Sequence, residues 1–360
     1  MYSHMILSRV HFLLTVLVIV GSIKKCSTLC GNTFSRASAI IIIEGRDDRY
    51  IADTCVRSLP IEKFQLLSNT RIILPGTFSS LFRLHTIELN NVGIERVDPG
   101  FLENTPSLRT IKIESNSLQS IGRYTFDELR LDTLDVSTNS IHQISNNAFE
   151  NSVFEYLCLS NNKLTEIKEW FQNTTITALS MTHNLIARLD ETTFGGIKGL
   201  KSLKLNYNKI ESIHPKTFSS INSLQIVYLS GNLLERIDFE IRNNIINIDV
   251  SFNRLSYLSL SDYTSLWIMS VYPNPFECNC LRELWKYISK KRIQIWSSKV
   301  LKEPWKDENP LCIAKYDHCS PSSQDYSQVR KEYFRIVNYN LLGRPRYTKG
   351  EDFVDLGIVN

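Results

Sequence analysis

The feature that most constrains this chain is a short pattern that returns along most of its length. Its clearest copy is Leu200 to Ile213, LKSLKLNYNKIESI, where Leu200, Leu203, Leu205, Ile210 and Ile213 are apolar and Asn208 stands among them. The alternation Leu203–Lys204–Leu205 is that of a short half-buried strand. Past Asn208 the period of two stops, so the chain turns there. An asparagine side chain carries two donors and an acceptor. Under a turn it can satisfy backbone groups that the strand no longer pairs.

The same asparagine returns at Asn116, Asn139, Asn162, Asn184, Asn232, Asn253 and Asn274, so that the steps from Asn116 to Asn274 are 23, 23, 22, 24, 24, 21 and 21 residues. Each copy carries the apolar frame, as in Leu131, Leu134, Val136, Ile141 and Ile144. Phenylalanines close several copies ten residues after the asparagine, at Phe126, Phe149, Phe194 and Phe218. A frame of this kind at a period near 24 resembles the extracellular leucine-rich repeat, and the resemblance runs from about Ile61 to Phe276. It implies an α/β fold: a curved solenoid, or horseshoe, of about ten repeats with a concave parallel sheet and disulfide caps at both ends. Such a chain grows in one dimension, so its 360 residues do not require two globular domains. The first repeat, Ile61, Phe64, Leu66, Asn69 and Leu74, is imperfect, with Arg71 where an apolar residue belongs. In the next repeat Val92 replaces the asparagine, and that turn must be satisfied otherwise.

Residues 1–22 read as a secretory signal: Arg9 precedes an apolar run from Phe12 to Val20, and Val20 and Ser22 suit cleavage after Ser22. The run is shorter than the roughly 20 residues that span a bilayer, and no later stretch suits a membrane anchor. The expected product is secreted. Its parts are an N-terminal cap over 23–60, repeats over 61–276, a cysteine-rich cap over 277–319 and a tail over 320–360. In an exported chain, eight cysteines imply disulfides. The run NPFECNC, continuing into LRELWKYI, resembles the C-terminal cap of leucine-rich repeat proteins. That resemblance implies the pairs Cys278–Cys312 and Cys280–Cys319. At the N-terminus, Cys55 pairs with Cys30 or with Cys26, and the thiol left over is available to a second chain, a disulfide-linked dimer through Cys26. Ala39–Ile43 reads as a strand, with Arg49–Cys55 a candidate to pair with it.

Between the frame residues lie those expected to face outward on the sheet. One column is Glu88, Lys112, Asp135, Cys158, Ser180, Lys204, Tyr228 and Asp249; a second is Asn91, Ser115, Thr138, Asn161, His183, Tyr207, Gly231 and Phe252. In the first half these columns are small and polar, and Glu88, Lys112 and Asp135 make a charge ladder. In the second half Lys204, Tyr207, Ile226, Tyr228, Asp249 and Phe252 gather aromatic and aliphatic surface beside charge, the composition of a binding hot spot. Trp267 and Tyr272, in the last repeat, are expected under the cap.

Catalysis finds little support. The chain has no GxSxG, HExxH, phosphate-loop or dinucleotide glycine pattern and no zinc spacing, so neither cofactor nor metal is expected. Cys158 and His183 lie one strand over and three residues along, roughly 11 Å apart, too far for a catalytic pair. The net charge of +4 does not argue for nucleic acid. Asn173-Thr174-Thr175 is a glycosylation sequon, placed on the convex side. From Arg282 to Lys306 eight basic residues face two glutamates, and Lys290, Lys291 and Arg292 form a candidate site for sulfated glycans. Val329, Tyr333 and Val337 mark one short amphipathic helix in the tail. The resemblance extends to Toll ectodomains and to secreted insect immune proteins. It implies a non-enzymatic recognition protein, with a protein, glycan or microbial ligand on the concave sheet. The alternative is an adhesive component of the extracellular matrix.

Overall fold

The computed structural model describes residues 14–20, 38–44, 50–51, 61–66, 71–79, 81–237, 239, 244–258, 265–295, 331 and 333, with backbone alone up to residue 66 and at Cys278. The chain is a parallel-sheet solenoid of about nine turns with few helices. It divides into two compact units, residues 1–117 and 118–360.

In the first unit, Leu14–Val20, Ser38–Glu44, Ile61–Leu66, Thr86–Glu88 and Thr110–Lys112 lie side by side, all parallel. Each coil returns the chain to the same place, so each strand meets its equivalent in the next coil. This rule corrects one expectation. Tyr50–Ile51 pairs with Ile72–Ile73, and that strand with Arg96–Val97, as a second wall of the coil; it does not pair with Ser38–Glu44. The apolar run expected to be a signal coincides with the strand Leu14–Val20. A leader and a strand draw on the same β-branched residues. Arg71 is also resolved: it is exposed, and its guanidinium grips Glu95 of the next coil through Nε–Oε1 at 2.8 Å and Nη2–Oε2 at 2.6 Å.

The turn that lacks its asparagine borrows one. Asn116 Oδ1 accepts from the Val92 and Ile94 N–H groups at 3.1 and 3.0 Å, and its Nδ2 donates to Leu89 O at 2.7 Å. The second unit repeats this device. Asn208 is fully buried. Its Oδ1 accepts from Ile186 N at 3.1 Å and its Nδ2 donates to Met181 O and Leu205 O at 2.9 and 3.0 Å. Each asparagine thus serves its own turn and the preceding one, which fixes the spacing between coils.

In that second unit Arg130–Asp135, Val153–Cys158, Thr174–Ser180, Ser202–Lys204, Ile226–Tyr228, Asn247–Asp249, Ile268–Ser270 and Gln294–Ile295 form one parallel sheet. Behind it run phenylalanine stacks: Phe126, Phe149 and Phe171 with centroids 6.0 and 5.5 Å apart, then Phe194 on Phe218 at 5.9 Å. Helix Cys278–Lys291 follows the last coil and buries Leu281, Leu284 and Ile288. The spacing of three and four residues between them lays one apolar stripe along the helix. Cys280 is buried and disulfide-bonded. Its expected partner Cys319 lies outside the described residues, as do Cys26, Cys30, Cys55, Cys312 and the side chain of Cys278.

Candidate functional site

The open face of the second unit's sheet is a grid set by register. Lys204 sits opposite Tyr228, Tyr228 opposite Asp249, and Asp249 opposite Ser270. One row along the strands, Ser202, Ile226, Asn247 and Ile268 align in the same way. The residues between the two rows, Leu203, Val227, Ile248 and Met269, point inward and are buried. The structure therefore places Lys204, Ile226, Tyr228 and Asp249 side by side, the first three half-buried.

Tyr207 and Phe252 occupy the same place in the turn after their strands, and both are left-handed, at φ 55 and 52°. The whole second column shares this conformation, including Thr138, Asn161 and His183, with Gly231 at φ 69°. From Thr138 onward it brings the backbone N–H onto a carbonyl of the next coil, as with Tyr207 N to Ser230 O at 2.8 Å and Phe252 N to Pro273 O at 2.8 Å. For non-glycine residues this is uncommon. Gly231 has a second reason to be glycine. A Cβ there would lie 2.5 Å from Tyr207 Cδ1, because the Tyr207 ring lies across it.

Asp249 departs from the expected exposure: it is only 9 % exposed. Its Oδ1 accepts from Ser251 N at 3.0 Å and Ser251 Oγ at 2.6 Å, and the Ser251 and Ser230 hydroxyls meet at 2.8 Å. Burial raises the Asp249 carboxyl above the ordinary range, against the hydrogen bonds from Ser251 and Ser270 that act to lower it. Burial, then the nearby Asp249 charge, raises the Tyr207 phenol. Asn247 Nδ2 donates to the Tyr228 hydroxyl at 3.1 Å.

Cys158 and Ser180, expected outward, are buried at 6 and 4 % exposure. The Cys158 thiol is free and donates to Ser160 Oγ at 3.4 Å, and Ser160 meets the Ser180 hydroxyl at 2.8 Å. This polar cluster, joined by the half-buried Tyr156, closes over the sulfur; burial and then Cys158 raise the Tyr156 phenol. In the first unit Glu88 and Lys112 are in register, as the ladder requires.

Trp267 overturns its expectation, being 65 % exposed. The cap covers the last coil's backbone, Gln294 N reaching Trp267 O at 2.7 Å, and leaves the indole outside. Ile246, 43 % exposed, is its neighbour in the preceding coil, joined through Trp267 N to Ile246 O at 2.9 Å. Both follow a buried frame residue, Ile245 or Leu266, and that position was the signal the column reading passed over. Tyr272 is half-buried, and burial raises its phenol, with the buried Tyr333 of the tail close enough to act against that shift. Of the tail helix expected through Val329 and Val337, only Lys331 and Tyr333 fall among the described residues.

Asn173 is exposed in the turn that leads into the strand Thr174–Ser180, with a left-handed backbone at φ 51°. Its Nδ2 donates to Asn151 Oδ1 at 2.8 Å, and Lys198 Nζ donates to its Oδ1 at 2.7 Å. Lys290, Lys291 and Arg292 are exposed at the end of the cap helix, where cations favour the helix dipole. Lys291 also lies over the Tyr287 ring at 6.0 Å. Among the described residues no three His, Cys, Asp or Glu side chains gather as metal ligands. Among them, too, no helix is long and apolar enough to cross a membrane.

The comparisons agree with this geometry. A leucine rich repeat family matches residues 174–234, and the BspA type leucine rich repeat region matches residues 49–170. No curated protein matches the chain. Among solved structures, the APL1 leucine-rich repeat domain is 20 % identical, with a TM-score of 0.54 over 78 % of this chain and 76 % of that one. The LRIM1/APL1C complex is 19 % identical, with a TM-score of 0.55 over 84 % of this chain and 59 % of that one. The Toll–Spatzle complex, described as a hub in Drosophila development and innate immunity, is 16 % identical, with a TM-score of 0.51 over 71 % of this chain and 40 % of that one. At these identities the likeness is one of fold, and repeat family, asparagine ladder and fold agree: the chain is a leucine-rich repeat protein.

Proposed function

We propose that this is a secreted, non-enzymatic recognition protein that holds a protein ligand on the open, concave face of its second unit, in extracellular signalling or innate immunity. The observation that carries the reading is the grouping of Tyr207, Ile226, Tyr228, Ile246, Phe252 and Trp267 on neighbouring coils. Apolar and aromatic side chains on a sheet face are spent on stability only if covered, and here they remain partly open. Two of the similar structures are protein complexes, LRIM1/APL1C and Toll–Spatzle, which favours a protein ligand here. Signal cleavage after Ser22, the Cys278–Cys312, Cys280–Cys319 and Cys30–Cys55 bridges, and a glycan on Asn173 belong to this proposal.

Capture from the native extracellular fluid would identify a partner. Replacing Tyr207, Tyr228 and Phe252 together by alanine should then weaken it by at least about tenfold. Unchanged affinity in a folded triple variant would sink the reading. The disulfide-linked dimer through Cys26 is tested separately. A band at twice the mass on non-reducing electrophoresis, lost on reduction and in Cys26→Ser, supports it; a monomer band rules it out. The exposed Lys290, Lys291 and Arg292 favour the second reading, adhesion through sulfated glycans. Their replacement by glutamine should lower the salt needed for elution from heparin.

A further inference from the structure

Asp249 is the charged residue set deepest in the grid, 9 % exposed on the outward row between Tyr228 and Ser270. Its surroundings are rich in neutral donors. The Ser251 N–H and hydroxyl reach Oδ1, the Ser270 hydroxyl is a further donor, and the Tyr207 phenol lies within range of its charge. No cation among the described residues enters its balance. Removing a carboxylate from water is costly, and hydroxyls offset only part of that cost. Among the described residues, what this carboxylate lacks is positive charge.

The surrounding rings suit a cation as well. Tyr228 is the register neighbour and Phe252 follows three residues along the chain, while the Tyr207 ring, its faces set against His183 and Gly231, stands beside them without offering an open face. Aromatic faces attract a desolvated ammonium or guanidinium. A divalent metal would need several oxygen ligands of appreciable charge, and a single carboxylate among hydroxyls supplies only one.

We propose that the protein partner delivers an arginine or lysine side chain to Asp249, its charged head against the carboxylate and its stem between the Tyr228 and Phe252 rings. The inference rests on the reading of this face as the binding surface. It gives that surface a polarity: the segment that docks here is basic.

The probes are N-acetyl-arginine amide and its uncharged analogue N-acetyl-citrulline amide, observed by saturation-transfer NMR on the full-length protein. Arginine should show transfer, and citrulline little. Asp249→Asn keeps the shape and removes the buried charge, so it should fold and bind the arginine probe at least about tenfold more weakly. Absence of transfer to arginine, equal transfer to citrulline, or unchanged binding in a folded Asp249→Asn protein would overturn the inference. The binding face would survive any of these if the triple alanine variant still loses the captured partner, and would fall with it if capture persists.

Discussion

The ring of Tyr207 stacks on the imidazole of His183, with centroids 4.5 Å apart and planes 16° from parallel. The two residues are 24 apart, at the same turn position of successive coils, and both are left-handed. The turn aims each ring along the sheet, so an aromatic side chain in one coil lands on its equivalent in the next. Tyr207 meets His183 on one side and the bare backbone of Gly231 on the other.

Gly231→Ala tests that arrangement. The new methyl would stand 2.5 Å from the Tyr207 ring, on a backbone at φ 69°. The ring must leave its place, and a left-handed alanine adds strain of about 1 kcal/mol. A total loss of about 1–3 kcal/mol is expected in urea unfolding. A variant as stable as the wild type would mean that the ring moves freely and that the stack is incidental.

Asn208→Ala should be more damaging. It removes an acceptor from Ile186 N and donors from Met181 O and Leu205 O, all in a fully buried site. Each orphaned buried group costs about 1–3 kcal/mol, so a loss of about 3 kcal/mol or more is expected. The exposed Asn173→Gln should lose less than about 1 kcal/mol. Equal losses at the two sites would refute the role of the ladder.

Asp249 makes a prediction about pH. Its carboxyl titrates near 3.8 when unfolded and above that value when folded. The folded state therefore holds the proton more tightly, and linkage lowers stability as pH rises through the interval between the two values. Asp249→Asn should remove this contribution. Its stability relative to the wild type should grow between pH 4 and neutrality, where wild-type Asp249 is charged. A constant difference across that range, in paired denaturant titrations, would show that the group is unperturbed.

The frame was legible because every frame position selects for one chemistry at a fixed period. Leu203, Val227 and Ile248 are buried where the sequence pattern puts them, and so are the asparagines from Asn162 onward. Exposure between frame residues was less legible, since it depends on neighbours in other coils. Cys158 is closed over by Ser160, Ser180 and Tyr156, and Asp249 sinks beside Ser251. Neither is visible in a list of alternating positions. The left-handed column was hidden because its conformation is imposed by bonds to the next coil, and it accepts Thr138, His183 and Phe252 where glycine or asparagine would have announced it. Gly231, a glycine one coil after an aromatic, was the only hint of the stack.

Trp267 separates stability from recognition. Its indole is 65 % exposed beside Ile246, while its backbone joins both neighbouring strands, through Ile246 O and Gln294 N. Trp267→Ala keeps those backbone bonds and removes mostly exposed surface, so unfolding free energy should change by less than about 0.5 kcal/mol. Affinity for a partner on this face should fall by about 1–3 kcal/mol, as expected when an aromatic anchor is truncated. Trp170, 3 % exposed behind the sheet, supplies the contrast: Trp170→Ala should cost about 3–5 kcal/mol of stability. Calorimetry of both variants and titration with the captured partner would check the pair. If Trp267→Ala unfolds as readily as Trp170→Ala, the indole is part of the core. If it binds like the wild type, the binding surface ends at Phe252 and does not extend to the rim.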